Sequence, residues 1–165
     1  YDTKGRFHLT PIKGEECNYK LLRINNVIQG DKGIFYGTCH DGHNIRFLDP
    51  KVKVGDTVKY NLKTCQVEDV YKFETNAIAQ VTCGNNSGRI GKIQAINKYD
   101  GSYNMITLVD EAGSKFITRV ENVFVLGKDK PAVTLPRARG VRVDIVENRK
   151  LRLASIAKQH ANKQQ

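Results

Sequence analysis

Tryptophan is absent from this sequence, methionine occurs once, and no apolar run approaches the roughly 18 residues that a membrane-spanning helix needs. The missing run excludes a helical membrane span. Acidic residues are also scarce, 17 Asp and Glu against 27 Lys and Arg, for a formal charge of +10. That imbalance does not help a small core fold, because like charges repel in the compact state. It points instead to an anionic partner, either nucleic acid or an acidic membrane surface, and without a spanning segment nucleic acid is the better match. No basic-then-apolar leader opens the chain at Tyr1, so no secretory signal is read there. A start without Met is expected of the retained part of something longer.

Cysteine is sparse too. Cys17, Cys39, Cys65 and Cys83 lie in a chain of 165 residues that is basic and well supplied with Val, Ile and Leu. Such a chain does not need a disulfide scaffold, so free thiols in a reduced, cytosolic protein are expected. Cys39-His40-Asp41-Gly42-His43 invites a zinc reading, but structural zinc sites use paired CxxC-type spacings and none is present. No metal and no cofactor are expected. A Cys/His nucleophile lacks a third group to orient the base. Glu15-Glu16 reads as a solvated loop rather than a general acid/base pair. Asp41-Gly42 reads as a turn that leaves both histidines exposed.

What is present is a succession of short β-type segments. Residues 19–28, 34–36, 44–48 and 57–62 carry β-branched and aromatic residues at period two or in short runs. Turn signals stand at Gly30-Asp31-Lys32-Gly33, Asp41-Gly42, Asp49-Pro50 and Gly55-Asp56. This texture predicts a small barrel or sandwich over residues 1–82. A second unit, 83–127, opens on Cys83-Gly84-Asn85-Asn86-Ser87-Gly88 and continues with strand-like segments at 89–96, 103–109 and 115–120. Five short strands in so short a span suit an SH3-like barrel.

The last segment, 128–165, holds ten Lys or Arg and three Asp or Glu, so it carries +7 of the total +10. Pro131 and Pro136 keep its start extended. From about Asp144 a helical period appears, with Val146, Leu153, Ile156 and Ala157 as a narrow apolar stripe among Arg149, Lys150, Arg152 and Lys158. So basic a segment is expected to bind RNA, to order on its partner, and to add little to the stability of the β units.

The glycine cluster is the most specific local signal. Gly84, Gly88 and Gly91 stand where backbone turns tightly or a partner approaches closely. A loop with exposed N–H groups beside Arg89 and Lys92 can seat phosphates. The competing reading, a turn and bulge that only shape a barrel, stands level with it. A P-loop is excluded, because no Gly-Lys-Ser/Thr leads into a helix.

Residues Gly84 to Ile96 resemble a KOW motif, the RNA-contacting element of SH3-like domains in ribosomal proteins and transcription elongation factors. The whole chain is similar to the archaeal and eukaryotic small-subunit ribosomal protein S-four family. Tyr1-Asp2-Thr3-Lys4-Gly5-Arg6-Phe7, Asp49-Pro50, Val54-Gly55-Asp56-Thr57 and Gly88-Arg89-Ile90-Gly91 carry the likeness in the first two units. Thr118-Arg119, Asn122-Val123-Phe124-Val125-Leu126-Gly127-Lys128, Leu135-Pro136-Arg137 and Gly140-Val141-Arg142 continue it. The resemblance implies a mainly β protein: a central β domain, a KOW barrel and a basic extension ending in a short helix. Family members also carry an S-four-type RNA-binding module ahead of the matching part, which this chain is expected to lack.

The implied function is structural: binding ribosomal RNA of the small subunit beside neighbouring small-subunit ribosomal proteins in the cytoplasm, with no enzymatic step, membrane or small-molecule substrate. Lys4, Arg6 and Arg46 are the cations expected at RNA in the first unit, and Arg89, Lys92 and Arg119 those around the KOW motif. Lys128, Arg137, Arg139, Arg142, Arg149, Lys150 and Arg152 are those of the extension. A KOW module of a transcription elongation or RNA-processing factor is the alternative, and would bring polymerase contacts and an acidic or linker-rich flank. A Cys/His enzyme would need a pocket where those residues converge.

Overall fold

The computed structural model of the protein describes residues 2–12, 14–136 and 139–162. It is mainly β, with two five-stranded antiparallel sheets and one helix. The first sheet has strand order β3-β2-β1-β4-β5, from β1 (Tyr19–Gln29), β2 (Phe35–Cys39), β3 (Asn44–Arg46), β4 (Thr57–Asn61) and β5 (Gln66–Tyr71). The second has order β10-β6-β7-β8-β9, from β6 (Ile78–Val81), β7 (Ile90–Asn97), β8 (Met105–Val109), β9 (Lys115–Arg119) and β10 (Val123–Gly127). A 3-10 turn at Val120–Asn122 returns β10 to pair with β6. That return gives the second sheet the curl of an SH3-like unit.

Three of these strands escape the sequence reading: β5, β6 and β10. β5 is an edge strand whose Gln-Val-Glu-Asp-Val-Tyr is largely exposed, so no apolar alternation marks it. β6 lies ahead of residue 83 but hydrogen-bonds to β7 and β10. It supplies the fifth strand that residues 83–127 do not contain.

β1 explains how the sheets meet. Leu22 and Ile24 are fully buried in the first core, with Val58, Ile45 and Leu48. Leu21 points the other way and packs with Ile90 and Leu126 of the second sheet. A strand buried on both faces reads as an apolar run rather than an alternation, which is why Leu21-Leu22 stand together. Arg23 fixes the junction, its guanidinium donating to the carbonyls of Glu121 at 2.6 Å and Val123 at 3.1 Å. Asp56, buried beside Gly55 (φ +97°), accepts the backbone N–H groups of Lys53 and Phe73.

The extension does not behave as one unit. Residues 131–135 lie across the junction of the sheets, where Ala132, Val133 and Leu135 pack on Leu21, Ile90 and Leu126. The Ala132 N–H donates to the Leu126 carbonyl at 2.9 Å, and the Tyr19 hydroxyl donates to the Ala132 carbonyl. The Thr134 hydroxyl donates to Glu16, so Glu16 is tied down rather than part of a solvated loop, while Glu15 is exposed. Further on, Gly140 is buried at φ +70°, where a Cβ would meet the Ile90 nitrogen at 2.6 Å. These contacts correct the expectation that the whole extension is a weakly packed cationic arm: sparse apolar side chains suffice because the groove they fill is built by distant residues. The helix α1 (Ile145–Asn162) begins where the helical period predicts, and its Val146, Leu153 and Ile156 remain exposed.

Candidate nucleic-acid interface

The glycine turn is organised from within. The N–H groups of Ser87, Gly88 and Arg89 donate to the carbonyls of Gly84, Val81 and Asn86. The Asn86 side chain donates to the Ile117 carbonyl at 3.1 Å. Gly84 and Gly88 sit at φ +85° and +81°, which glycine adopts without strain. At Gly91 the close approach is internal: a Cβ would lie 2.6 Å from the Val109 carbonyl oxygen on the paired strand. Of the two readings of this loop, the turn that shapes the sheet accounts for these donors and for Gly91.

Arg89 belongs to that inner structure. It is 9% exposed, its guanidinium pairs with the buried Asp110 carboxylate, and it lies 3.8 Å from the centre of the Phe116 ring. Burial pushes the Asp110 carboxyl up, and the hydrogen bond and charge of Arg89 pull against that shift. Arg89, expected from the sequence among the RNA-facing cations, is thus engaged within its own fold. The motif reveals the residue type but not Asp110, which completes the pair from the end of β8.

The other expected cations are exposed wherever the structure describes them. Lys92 and Arg139 line a cleft of about 510 Å³ between the start of β7, the end of β8 and residues 131–135, with Arg139 paired to Glu111 at 3.0 Å. Lys4 and Arg142 line a second depression, at the start of α1. Arg119 stacks on Tyr103 at 3.9 Å from the ring centre, and Arg46 lies against Tyr36 and Phe47. Arg6, Lys128, Arg149, Lys150 and Arg152 are exposed singly or along the helix. Arg137 lies outside the described residues. The aromatic partners Tyr36, Phe47 and Tyr103 were missed by the sequence reading. Their signal there is an aromatic residue close to a cation at a strand end, as in Arg46-Phe47.

The Cys/His cluster is dispersed. Cys39 is buried, whereas Cys17, Cys65 and Cys83 are exposed. Burial, with help from Asp41, pushes the Cys39 thiol up to about 11, so it holds little thiolate near neutral pH. His40 and His43 are both exposed; His40 stacks edge-on against Phe124, and His43 pairs with Asp41 at 2.8 Å. Burial works against ionisation of Asp41, but hydrogen bonds from Lys20 and the His43 backbone hold its carboxyl below the usual range. Among the described residues, no three Cys, His, Asp or Glu side chains converge as metal ligands would.

Two family models match the chain. Ribosomal family S4e matches residues 1–67, and 40S ribosomal protein S4 C-terminus matches residues 110–155, together roughly two thirds of the chain. The crystal structure of the 30S ribosomal protein S4e from Thermoplasma acidophilum has a similar fold, with a TM-score of 0.65 and 23% identity. The match covers 78% of this chain and 64% of that one, so the chain spans a little under two thirds of that protein's length. The matched segments take in four of the five strands of the first sheet, β1 to β4, and the extension as far as the middle of α1. This chain therefore belongs to the S4e family of ribosomal proteins.

Proposed function

We propose that the protein is a structural constituent of the small ribosomal subunit, in the cytoplasm, that binds ribosomal RNA beside neighbouring ribosomal proteins. Its role is to position and brace rather than to catalyse. Besides family membership, one observation carries the reading: the cations named from the sequence stay exposed in the described residues, with Arg89 the exception. Lys4 with Arg142, Lys92 with Arg139, and the row on α1 are spread over several faces, as suits phosphate contacts that fix position by shape rather than by sequence. A catalytic site would gather its polar groups in one cleft.

The division of labour is part of this proposal. The first β unit and the KOW unit, with Ile78–Val81 counted to the latter, form a braced body. Residues beyond 127 first strap that body and then present charge. Mass analysis of purified small ribosomal subunits, at several salt concentrations, tests the reading. The protein should be stoichiometric in the subunit and dissociate as salt rises; its absence from subunits, or its recovery with RNA polymerase, would overturn it.

A further inference from the structure

The outer face of the first sheet carries a feature that the phosphate-binding role does not use. Ile28, Tyr36 and Arg46 are direct neighbours across β1, β2 and β3. Residues paired in this way share a face, and the opposite row, Val27, Gly37 and Ile45, is the one that faces the first core. The next row on the outer face is Asn26, Thr38 and Asn44. Beyond Arg46 the chain leaves the sheet at Phe47, which is 73% exposed and holds φ +57°. A bulky residue in the left-handed region is strained, and an exposed ring gains little from burial. Within the fold, the contact of the Phe47 ring with the Arg46 guanidinium is set against these costs.

What the arrangement builds is a platform. The Arg46 guanidinium lies 5.8 Å from the Tyr36 ring centre and 5.5 Å from that of Phe47. Gly30 makes room for the Tyr36 ring, since a Cβ there would sit 2.4 Å from it. Aromatic faces, one cation and a row of amide and hydroxyl groups match an unstacked nucleotide: base on ring, phosphate on guanidinium, base edge on the polar row. A duplex hides its base faces and would require a denser set of cations. A protein partner would require a broader apolar patch than Ile28, Tyr36 and Phe47 supply, and the charge of +10 favours the polyanion.

We infer that the Tyr36–Arg46–Phe47 face binds unpaired nucleotides of single-stranded RNA by stacking; the inference rests on the RNA-binding reading above. The test uses the full chain with two probes, a short labelled oligoadenylate and an RNA duplex. Phe47→Gly removes the ring and relieves the left-handed strain, so its thermal midpoint should not fall. Its affinity for the oligoadenylate should drop by about tenfold, the scale of one base–aromatic stack, with duplex affinity unchanged. Phe47→Tyr should keep the parent's affinity for both. As a second variant, Arg46→Gln, which leaves both rings in place, should also weaken oligoadenylate binding. Parent-like binding of the oligoadenylate by both Phe47→Gly and Arg46→Gln overturns the inference alone and leaves the face to a protein partner. Failure of the parent chain to bind either RNA overturns the RNA-binding reading as well.

Discussion

Residues 131–135 with Gly140, and the helix at 145–162, belong to the same basic extension, yet they do opposite work. The first places Val133, Leu135 and Gly140 against Leu21 and Ile90 and lies over the junction of the two sheets. The second leaves Ile145 at 78% and Leu151 at 57% exposed, beside Arg149, Lys150 and Arg152. The difference teaches that net charge averaged over a segment says little about packing. What decides is whether a few apolar side chains meet a preformed groove. At the strap they do, because Leu21 from β1 and Ile90 and Leu126 from β7 and β10 supply one.

The strongest way to break this comparison is to cut the chain at two places. Ending it after Gly127 removes the strap and uncovers Leu21, Ile90 and Leu126. With roughly 1.5–3 kcal/mol for each fully buried Val or Leu, discounted for partial burial, the loss should be on the order of 5 kcal/mol. The thermal midpoint should then fall by about 10 °C or more. Ending it after Asp144 removes only the helix and should leave the midpoint within about 1 °C, as for surface changes generally. Equal midpoints for the two truncations, measured by calorimetry, would show that the strap is not a packing element.

A somewhat smaller effect is expected beneath the strap. Asp110→Ala leaves Arg89 buried without its partner and should cost about 3–5 kcal/mol in denaturant unfolding. The same loss should appear in the chain cut after Asp144, because distant sites add. A cost below about 1 kcal/mol would mean that Arg89 reaches water and a phosphate after all. Gly140→Ala comes next: its φ of +70° and the Ile90 nitrogen at 2.6 Å from a Cβ predict about 1–3 kcal/mol. An alanine of parent-like stability there would show that the strap moves aside freely.

Much of the β architecture is legible in the sequence because it is written locally. β8 and β9 alternate residue by residue between core and outside, and their period two is visible without any partner. The turns at Asp41-Gly42 and Gly55-Asp56 announce themselves by composition. β5 is missed because it is an edge strand with no buried face, although its partner β4 is close in the chain. The other misses share one cause, a partner far away in the chain: β6 and β10 make sense only once they pair with each other. Arg89 looks like a phosphate ligand beside its glycines until Asp110 arrives from β8. The same holds for Gly91, whose neighbour is the Val109 backbone rather than a ligand. Phe47 is the reverse case: nothing in its identity forecasts a left-handed backbone, since strain is a property of the finished fold.

The smallest effect on stability, and the sharpest on function, is expected from the helix. Arg149, Lys150 and Arg152 are exposed, and no ion pair involving them is found among the described residues. Replacing all three by glutamine keeps side chains of good helix propensity, so the thermal midpoint should stay at the parent's value. On single-stranded RNA, each phosphate that the protein no longer neutralises reduces the slope of log affinity against log salt by about 0.7. Three such phosphates should therefore flatten it by about 2. The chain cut after Asp144 is without the same three cations, so it should show a slope at least as flat and the same unchanged midpoint. If the triple variant and the truncation both keep the parent's salt slope, α1 neutralises no phosphate and binds through its exposed Val146, Leu153 and Ile156 face. A neighbouring protein, rather than RNA, would then be what the helix awaits.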